Sequence, residues 1–332
     1  MIVKDMMPNF ELYQPTQLKD AFALLDNYGA DAWKMGGGYD SLVWFKERIK
    51  RPKAVVDLSG IAEMKGVKET PDGLEIGALT TLTDVERNPI VKAKYRLLAD
   101  AVGKVASPQI RNVGTIGGNA SQDARCLYYR YGLPCYRAGG NTCFADTPEG
   151  VNREHALFDS DRCVAVSPSD GAAALVALDA KFVLQSSKGQ RVIGADDFFI
   201  GPKIDITHLT STKPEEILVA IKIPKTWAGS YFYFEKVADR NTWDFPLVNV
   251  AAAMQVQNGV IADARIVCGG VSAVPHRLNA VEDILKGKPM DEANAKLAGQ
   301  SATRGARPLN YNGFKIPLMT NLVTRAVRDA KA

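Results

Sequence analysis

Two glycine-rich turns constrain the fold of this chain most: KMGGGYDSL at 34–42 and SPQIRNVGTIGGNAS at 107–121. In the first, Gly36, Gly37 and Gly38 stand between the strand pattern DAWKM and the helix pattern DSLVWFKERIK. A strand therefore passes into a helix through three residues that carry no side chain. Backbone N–H groups in such a turn can approach an anion closely, because no Cβ intervenes. The spacing is not the GxGxxG of a dinucleotide-binding fold, and by itself the segment reads first as a plain tight turn. The second turn repeats the device, with Gly114, Gly117 and Gly118 framing the hydroxyl of Thr115 and the amide of Asn119. Two such turns suit a long diphosphate ligand; the alternative is two unrelated turns.

The rest of the chain is mixed in character. TQLKDAFALLDNYG has helical spacing and ends at Gly29; AVVDLSG, MKGVKET and LEIGALTTL read as strands. Thr83 is a candidate N-cap for one helix running through VERNPIVKAKYRLLADAVGKV. Beyond the glycine turns, GAAALVALDA reads as a helix, and KFVLQSS, QRVIG, EEILVAIKIP and SYFYFEKV as strands. Around Asn258-Gly259 two β-compatible arms predict a type I′ hairpin, since that dipeptide readily supplies two positive φ angles. Helices at NAVEDILKG, DEANAKLAGQ and PLMTNLVTRAVRDA are expected to cover one face of that sheet. With 332 residues, 46% hydrophobic and 23% charged, the chain has material for two domains, with a boundary expected near residue 225.

A net charge of +4 gives no reason to expect nucleic acid or an anionic membrane as partner, and the basic run KERIKRPK reads as a solvated helix end. MIVKDMMPNF lacks the apolar core of an export signal, and no stretch approaches the ~20 apolar residues of a membrane helix. The expectation is a cytoplasmic protein without a membrane span.

Cys126, Cys135, Cys143 and Cys163 follow the pattern C-x8-C-x7-C-x19-C directly after the second glycine turn. In a chain without an export signal this points to metal or redox chemistry before disulfides. Four thiolates are the usual complement of a 4Fe-4S cluster. Zinc also accepts four, although structural zinc sites favour close C-x2-4-C pairs, and disulfide or free thiols are the third possibility. Cys268, in the hairpin, reads as a buried apolar thiol. His155, His208 and His276 are scattered and read as ordinary surface or capping residues; no GxSxG elbow or HExxH motif supports hydrolytic chemistry.

KMGGGYDSL, IGALTTL, SPQIRNVGTIGGNAS, SPSDGAAALVALDA and CGGVSAVPHR, in this order and spacing, resemble the flavoprotein subunit of the xanthine dehydrogenase and carbon monoxide dehydrogenase family over nearly the whole chain. The resemblance implies an α+β fold: a PCMH/vanillyl-alcohol oxidase-type FAD-binding domain of two subdomains at 1–225, and a C-terminal sheet-and-helix domain of the CO dehydrogenase flavoprotein type at 226–332. It implies FAD, cradled by Lys34, Met35, Gly36, Gly37, Gly38, Tyr39, Asp40, Ser41 and Leu42 together with Gly114, Thr115, Gly117, Gly118, Asn119 and Gln122. Asp170 in SPSD and Lys236 in FEKVADR match positions near the flavin and its ribityl chain. Without the likeness, Asp170 reads as a helix N-terminal acid and Lys236 as an edge-strand surface charge. Tyr39 departs from the small hydroxyl residue usual in the family, so no side-chain contact is carried over there.

QDARCLYYRYGLPC, GGNTC and SDRCVAVSPSD, an insertion at about 122–166, resemble the cluster-bearing segment of two branches of this family. These are the FAD subunits of bacterial molybdenum aldehyde oxidoreductases and of 4-hydroxybenzoyl-CoA reductase. The likeness implies Cys126, Cys135, Cys143 and Cys163 as 4Fe-4S ligands, no catalytic residue on this chain, and an electron-transfer role in aldehyde or aromatic and heteroaromatic oxidation. It also implies two partners, a molybdenum-cofactor large subunit and a small subunit with two 2Fe-2S clusters, in a heterotrimer or its dimer. The alternatives are a 4-hydroxybenzoyl-CoA reductase-type subunit and, from another class, a zinc-stabilised binding protein.

Overall fold

The computed structural model describes residues 7–332, so most of the leader reading at MIVKDM lies outside the described residues. Strands β1 (Glu11–Tyr13), β2 (Ala32–Met35) and β3 (Ala54–Asp57) form a parallel sheet of order β1-β3-β2. The central strand buries Ala54, Val55 and Val56 completely, as a parallel strand covered on both faces requires. The helix Leu18–Tyr28 returns the chain from β1 to β2, burying Ala21, Phe22 and Leu25, and ends where Gly29 takes φ 53° and donates its N–H to Leu25 O. The Gly36–Gly38 turn leaves the C-terminal end of β2, the edge at which ligands of parallel sheets are bound.

The next sheet is antiparallel: β4 (Val67–Thr70), β5 (Gly73–Gly77), β6 (Lys181–Ser186), β7 (Gly189–Gly194) and β8 (Ile217–Pro224), in the order β4-β5-β8-β6-β7. The single helix expected after a Thr83 cap is instead three: Leu82–Arg87, Pro89–Lys94 and Arg96–Gly103. Thr81 is the first cap, its Oγ1 accepting from Asp84 N at 3.1 Å. The break falls at Asn88-Pro89, because proline has no N–H to continue the ladder, and the Asn88 side chain caps Ile90 and Val91. The helix expected through residue 50 stops at Lys46.

The last sheet, of order β12-β11-β10-β9, holds β9 (Tyr231–Val237), β10 (Val248–Gln257), β11 (Val260–Gly269) and β12 (His276–Arg277). Its hairpin turns at Asn258, φ 51°, and Gly259, φ 78°, the two positive angles of a type I′ turn. Alternation along β10 sends Val250, Ala252 and Met254 into one core and Ala251 and Ala253 into another. The first core lies under helices Asn279–Leu285, Glu292–Ala302 and Lys315–Asp329. The opposite face packs against Arg96–Gly103 and Asp170–Ala177. Every residue of the latter helix is buried, and its small side chains let it fit so closely. Both faces of the sheet are thus covered. Among the described residues no helix is long and apolar enough to cross a membrane.

Candidate functional site

The first glycine turn is open on its backbone, while Lys34, Asp40 and Ser41 have their side chains engaged by the rest of the protein. Gly37 and Gly38 hold φ 82° and 84°, a region that favours glycine. A Cβ on Gly37 would stand 2.6 Å from Val113 O, so glycine also allows the two turns to touch. Among the described residues the N–H groups of Gly37, Gly38 and Tyr39 meet no protein acceptor. The Tyr39 and Leu42 side chains are exposed. Lys34 is turned away, its Nζ donating to the carbonyls of Lys213 at 2.9 Å, Pro214 at 3.2 Å and Glu216 at 2.8 Å, and burial pulls it down to about 8. The Asp40 carboxylate accepts from Trp44 Nε1 at 3.1 Å, Asp123 N at 3.2 Å and Arg125 Nη2 at 2.5 Å; burial pushes its carboxyl up and Arg125 pulls it back. Ser41 Oγ accepts from Trp33 Nε1 at 2.8 Å. Met35 lies beneath Gly38.

In the second turn the donors are tied to the protein. Ile116 N and Gly117 N reach Thr80 O and Ala78 O at 2.9 Å, and Gly118 N reaches Thr115 Oγ1 at 3.1 Å. Thr115 caps the helix Ile116–Ser121 and donates to Gly36 O at 3.4 Å. Gly114 O accepts from Leu82 N at 2.9 Å. A Cβ on Gly117 would stand 2.8 Å from Ala78, and one on Gly118 would stand 3.0 Å from Gly36 O. Gly118 brings the second turn against the first and Gly117 brings it against Ala78, rather than presenting free N–H groups. Asn119 continues the chain of contacts: its Oδ1 accepts from Ser169 Oγ at 2.8 Å, and its carbonyl accepts from Gln122 Nε2 at 2.9 Å.

Ser169 caps the helix that opens with Asp170. Asp170 is 3% exposed and accepts from Lys236 Nζ at 2.6 Å and from Asn249 Nδ2 at 2.9 Å. Lys236 also donates to Lys104 O at 3.1 Å and Asp244 O at 2.7 Å. Its strand is at the sheet edge, but the side chain is 8% exposed, so the surface-charge reading fails. Burial pushes the Asp170 carboxyl up, against the pull of Lys236 and Asn249. No motif singles out Asn249; its signal in the sequence is an asparagine within the apolar run LVNVAAAM.

The insertion brings all four candidate cysteines to one pocket, together with Tyr129, Arg137 and His155. Burial pushes the Cys126 thiol up to about 11 and raises that of Cys163. Among the described residues no three His, Cys, Asp or Glu side chains form the ligand set of a single metal ion. Arg137 is 6% exposed, pairs with Asp123, donates to Ile206 O at 2.9 Å, and has an Nε with no partner among the described residues. His155 is 5% exposed, with Nε2 3.3 Å from Cys126 Sγ. It is therefore not the surface or capping residue expected. Burial first, and then the Lys315 ammonium, pull the ring down to about 4, so it is neutral at higher pH. From the C-terminal region, Asn312 and Lys315, both fully buried, pin this segment by donating to His155 O at 3.0 Å. Cys268 is fully buried in β11, outside the pocket. Trp44, in the helix that follows the first glycine turn, packs on Tyr129 with ring centroids 5.5 Å apart.

Residues 8–226 match the family model for the FAD binding domain in molybdopterin dehydrogenase, and 233–330 match the CO dehydrogenase flavoprotein C-terminal domain. The chain is 29% identical to the carbon monoxide dehydrogenase medium chain of Hydrogenophaga pseudoflava, over 98% of both. It is 32% identical to the aldehyde oxidoreductase FAD-binding subunit PaoB of Escherichia coli, over 90% of this chain and 91% of that one. A solved structure of carbon monoxide dehydrogenase from Hydrogenophaga pseudoflava superposes with a TM-score of 0.78 at 28% identity, covering 98% of each chain. The chain belongs to the FAD-binding, medium-subunit family of the molybdopterin dehydrogenases, whose members are oxidoreductase subunits.

Proposed function

We propose that this chain carries FAD and a 4Fe-4S cluster and passes electrons within a molybdenum hydroxylase complex. The observation that carries the reading is the adjacency of a glycine turn with open N–H groups to a pocket lined by four cysteines, joined through Trp44 and Tyr129. Bound flavin exchanges electrons in pairs or singly and a cluster exchanges them one at a time, which joins one-electron to two-electron partners.

In this reading the backbone of Gly36 to Tyr39 receives the pyrophosphate, flanked by Met35, Leu42 and the second turn from Gly114 to Gln122. Lys34, Asp40 and Ser41 hold the turn in shape through their protein partners. Asp170 and Lys236 form a buried polar pair at the flavin end. Cys126, Cys135, Cys143 and Cys163 ligate the cluster. A cluster of this kind is a body rather than a point, so its ligands stand around a pocket, and the buried Arg137 offsets part of the thiolate charge. The domain division at 225/226 belongs to the same proposal.

The partners proposed are a molybdenum-cofactor large subunit and a small subunit with two 2Fe-2S clusters. The likeness to an aldehyde oxidoreductase subunit supports aldehyde oxidation. The complex purified from native cells under anaerobic conditions should contain one FAD and about eight iron and eight sulfide, four of each beyond the small subunit's two 2Fe-2S clusters. Rapid mixing with an aldehyde should reduce the flavin only when the molybdenum subunit is present. An isolated chain that turns over substrate without molybdenum refutes the subunit reading, and a colourless, iron-free chain with one zinc refutes the cluster.

A further inference from the structure

The geometry around Cys126 points to a role for His155. Its main chain is fixed independently of the ring: His155 N donates to Asn152 O at 3.0 Å, and its carbonyl accepts from Asn312 and Lys315. The ring is buried, and among the described residues its one polar side-chain contact is Cys126 Sγ, 3.3 Å from Nε2. Nδ1 has no partner among the described residues.

That asymmetry decides the tautomer. With the proton on Nε2, an N–H points at the sulfur and only a lone pair on Nδ1 goes unmatched. With the proton on Nδ1, a buried N–H is orphaned and the Nε2 lone pair faces an electron-rich sulfur. An unmade donor costs more than a spare lone pair, so Nε2 carries the proton.

Resting on the cluster reading above, we propose that His155 is a positioning residue that donates a hydrogen bond to the Cys126 thiolate and raises the cluster's reduction potential. Reduction adds one negative charge, shared between the cluster and its thiolates. A fixed N–H dipole aimed at one thiolate favours the more negative state, and the buried setting strengthens the effect. The cluster is thereby biased towards holding an electron.

The test uses the intact complex, with iron and sulfide analysis and an EPR-monitored redox titration. His155→Leu removes the donor and leaves the backbone contacts. It should keep about eight iron per complex, four in this chain's cluster and four in the small subunit's two 2Fe-2S clusters, and shift the 4Fe-4S cluster's reduction equilibrium about tenfold towards the oxidised form, a fall of about 59 mV for one electron. His155→Gln, whose amide extends to the reach of Nε2, should restore most of the shift. An unchanged potential in His155→Leu overturns the proposal. Should that variant lose iron, His155→Gln is compared with His155→Asn, whose amide stops at the reach of Nδ1; a higher potential in the former supports the donor role, and equal potentials overturn it. Loss of iron from all three variants also overturns it, by making the ring a requirement for the pocket. Wild-type complex that holds only the about four iron of the small subunit's two 2Fe-2S clusters removes the cluster reading itself, an outcome read from iron content rather than potential.

Discussion

Replacing Lys236 by Met isolates the energetics of the buried pair that ties the two halves of the chain together. Lys236 Nζ lies 2.6 Å from Asp170 Oδ2, with the two side chains 8% and 3% exposed. Breaking a buried pair by removing one partner costs about 3–5 kcal/mol, because the remaining charge is left uncompensated. Asp170 keeps the Asn249 amide at 2.9 Å and its place at a helix N-terminus, which puts the expected loss near the lower end, about 3 kcal/mol. That is roughly a hundredfold in the folding equilibrium. The loss depends on pH with a definite sign. Burial raises the Asp170 carboxyl and Lys236 opposes the rise, so without Lys236 the folded-state value climbs further above its unfolded value of about 3.9. A group raised in the folded state contributes stability below its unfolded pKa and loses it as pH rises through the folded pKa. The deficit of Lys236→Met should therefore be largest above the raised folded-state pKa of Asp170 and shrink as pH falls towards the unfolded value of about 3.9. Urea unfolding of flavin-free wild type and variant, followed by circular dichroism and tryptophan fluorescence, measures both quantities. A deficit under about 1 kcal/mol, the size of an exposed ion pair, with no pH dependence refutes the reasoning.

Gly37→Ala forces an L-residue to φ 82° and sets its Cβ against Val113 O; it should cost at least about 1–2 kcal/mol and lower the flavin content of purified protein. Gly259→Ala, at φ 78° with nothing within 4 Å of the added Cβ, should carry only the conformational cost and keep its flavin, which absorbance at the flavin band checks. Cys143→Ser should lower bound iron, whereas Cys268→Ala, in β11 and away from the pocket, should leave iron unchanged on elemental analysis and cost about 1 kcal/mol in denaturant. Lys315 is pulled by burial from 10.5 to about 7. A group so depressed contributes stability above its ordinary pKa and loses it as pH falls through the folded value, so wild-type stability should decline from about pH 10 to about pH 7 while that of Lys315→Met stays flat.

Features that depend on local conformation are legible in the residues alone. The Asn258-Gly259 hairpin, the helix that ends at Gly29 and the strand-to-helix turn at Gly36 to Gly38 follow from backbone preferences of neighbouring residues, and each stands where those preferences put it. The order of motifs likewise carried the family, because glycine turns, strand patterns and capping signals retain their spacing along the chain. The role of each polar group depends instead on what packing places beside it. The second glycine turn resembles the first in composition, yet its N–H groups serve Thr80 and Ala78, residues brought beside it by β5 and the segment after it. Lys236 occupies an edge strand but turns inward because a buried carboxylate from another element waits there. His155 has no helical or strand period to place it; it reaches Cys126 because Asn312 and Lys315, far along the chain, hold its carbonyl. Local preference acts through dihedral angles a few residues apart, whereas burial, pairing and charge compensation depend on which distant segments the packed core brings together.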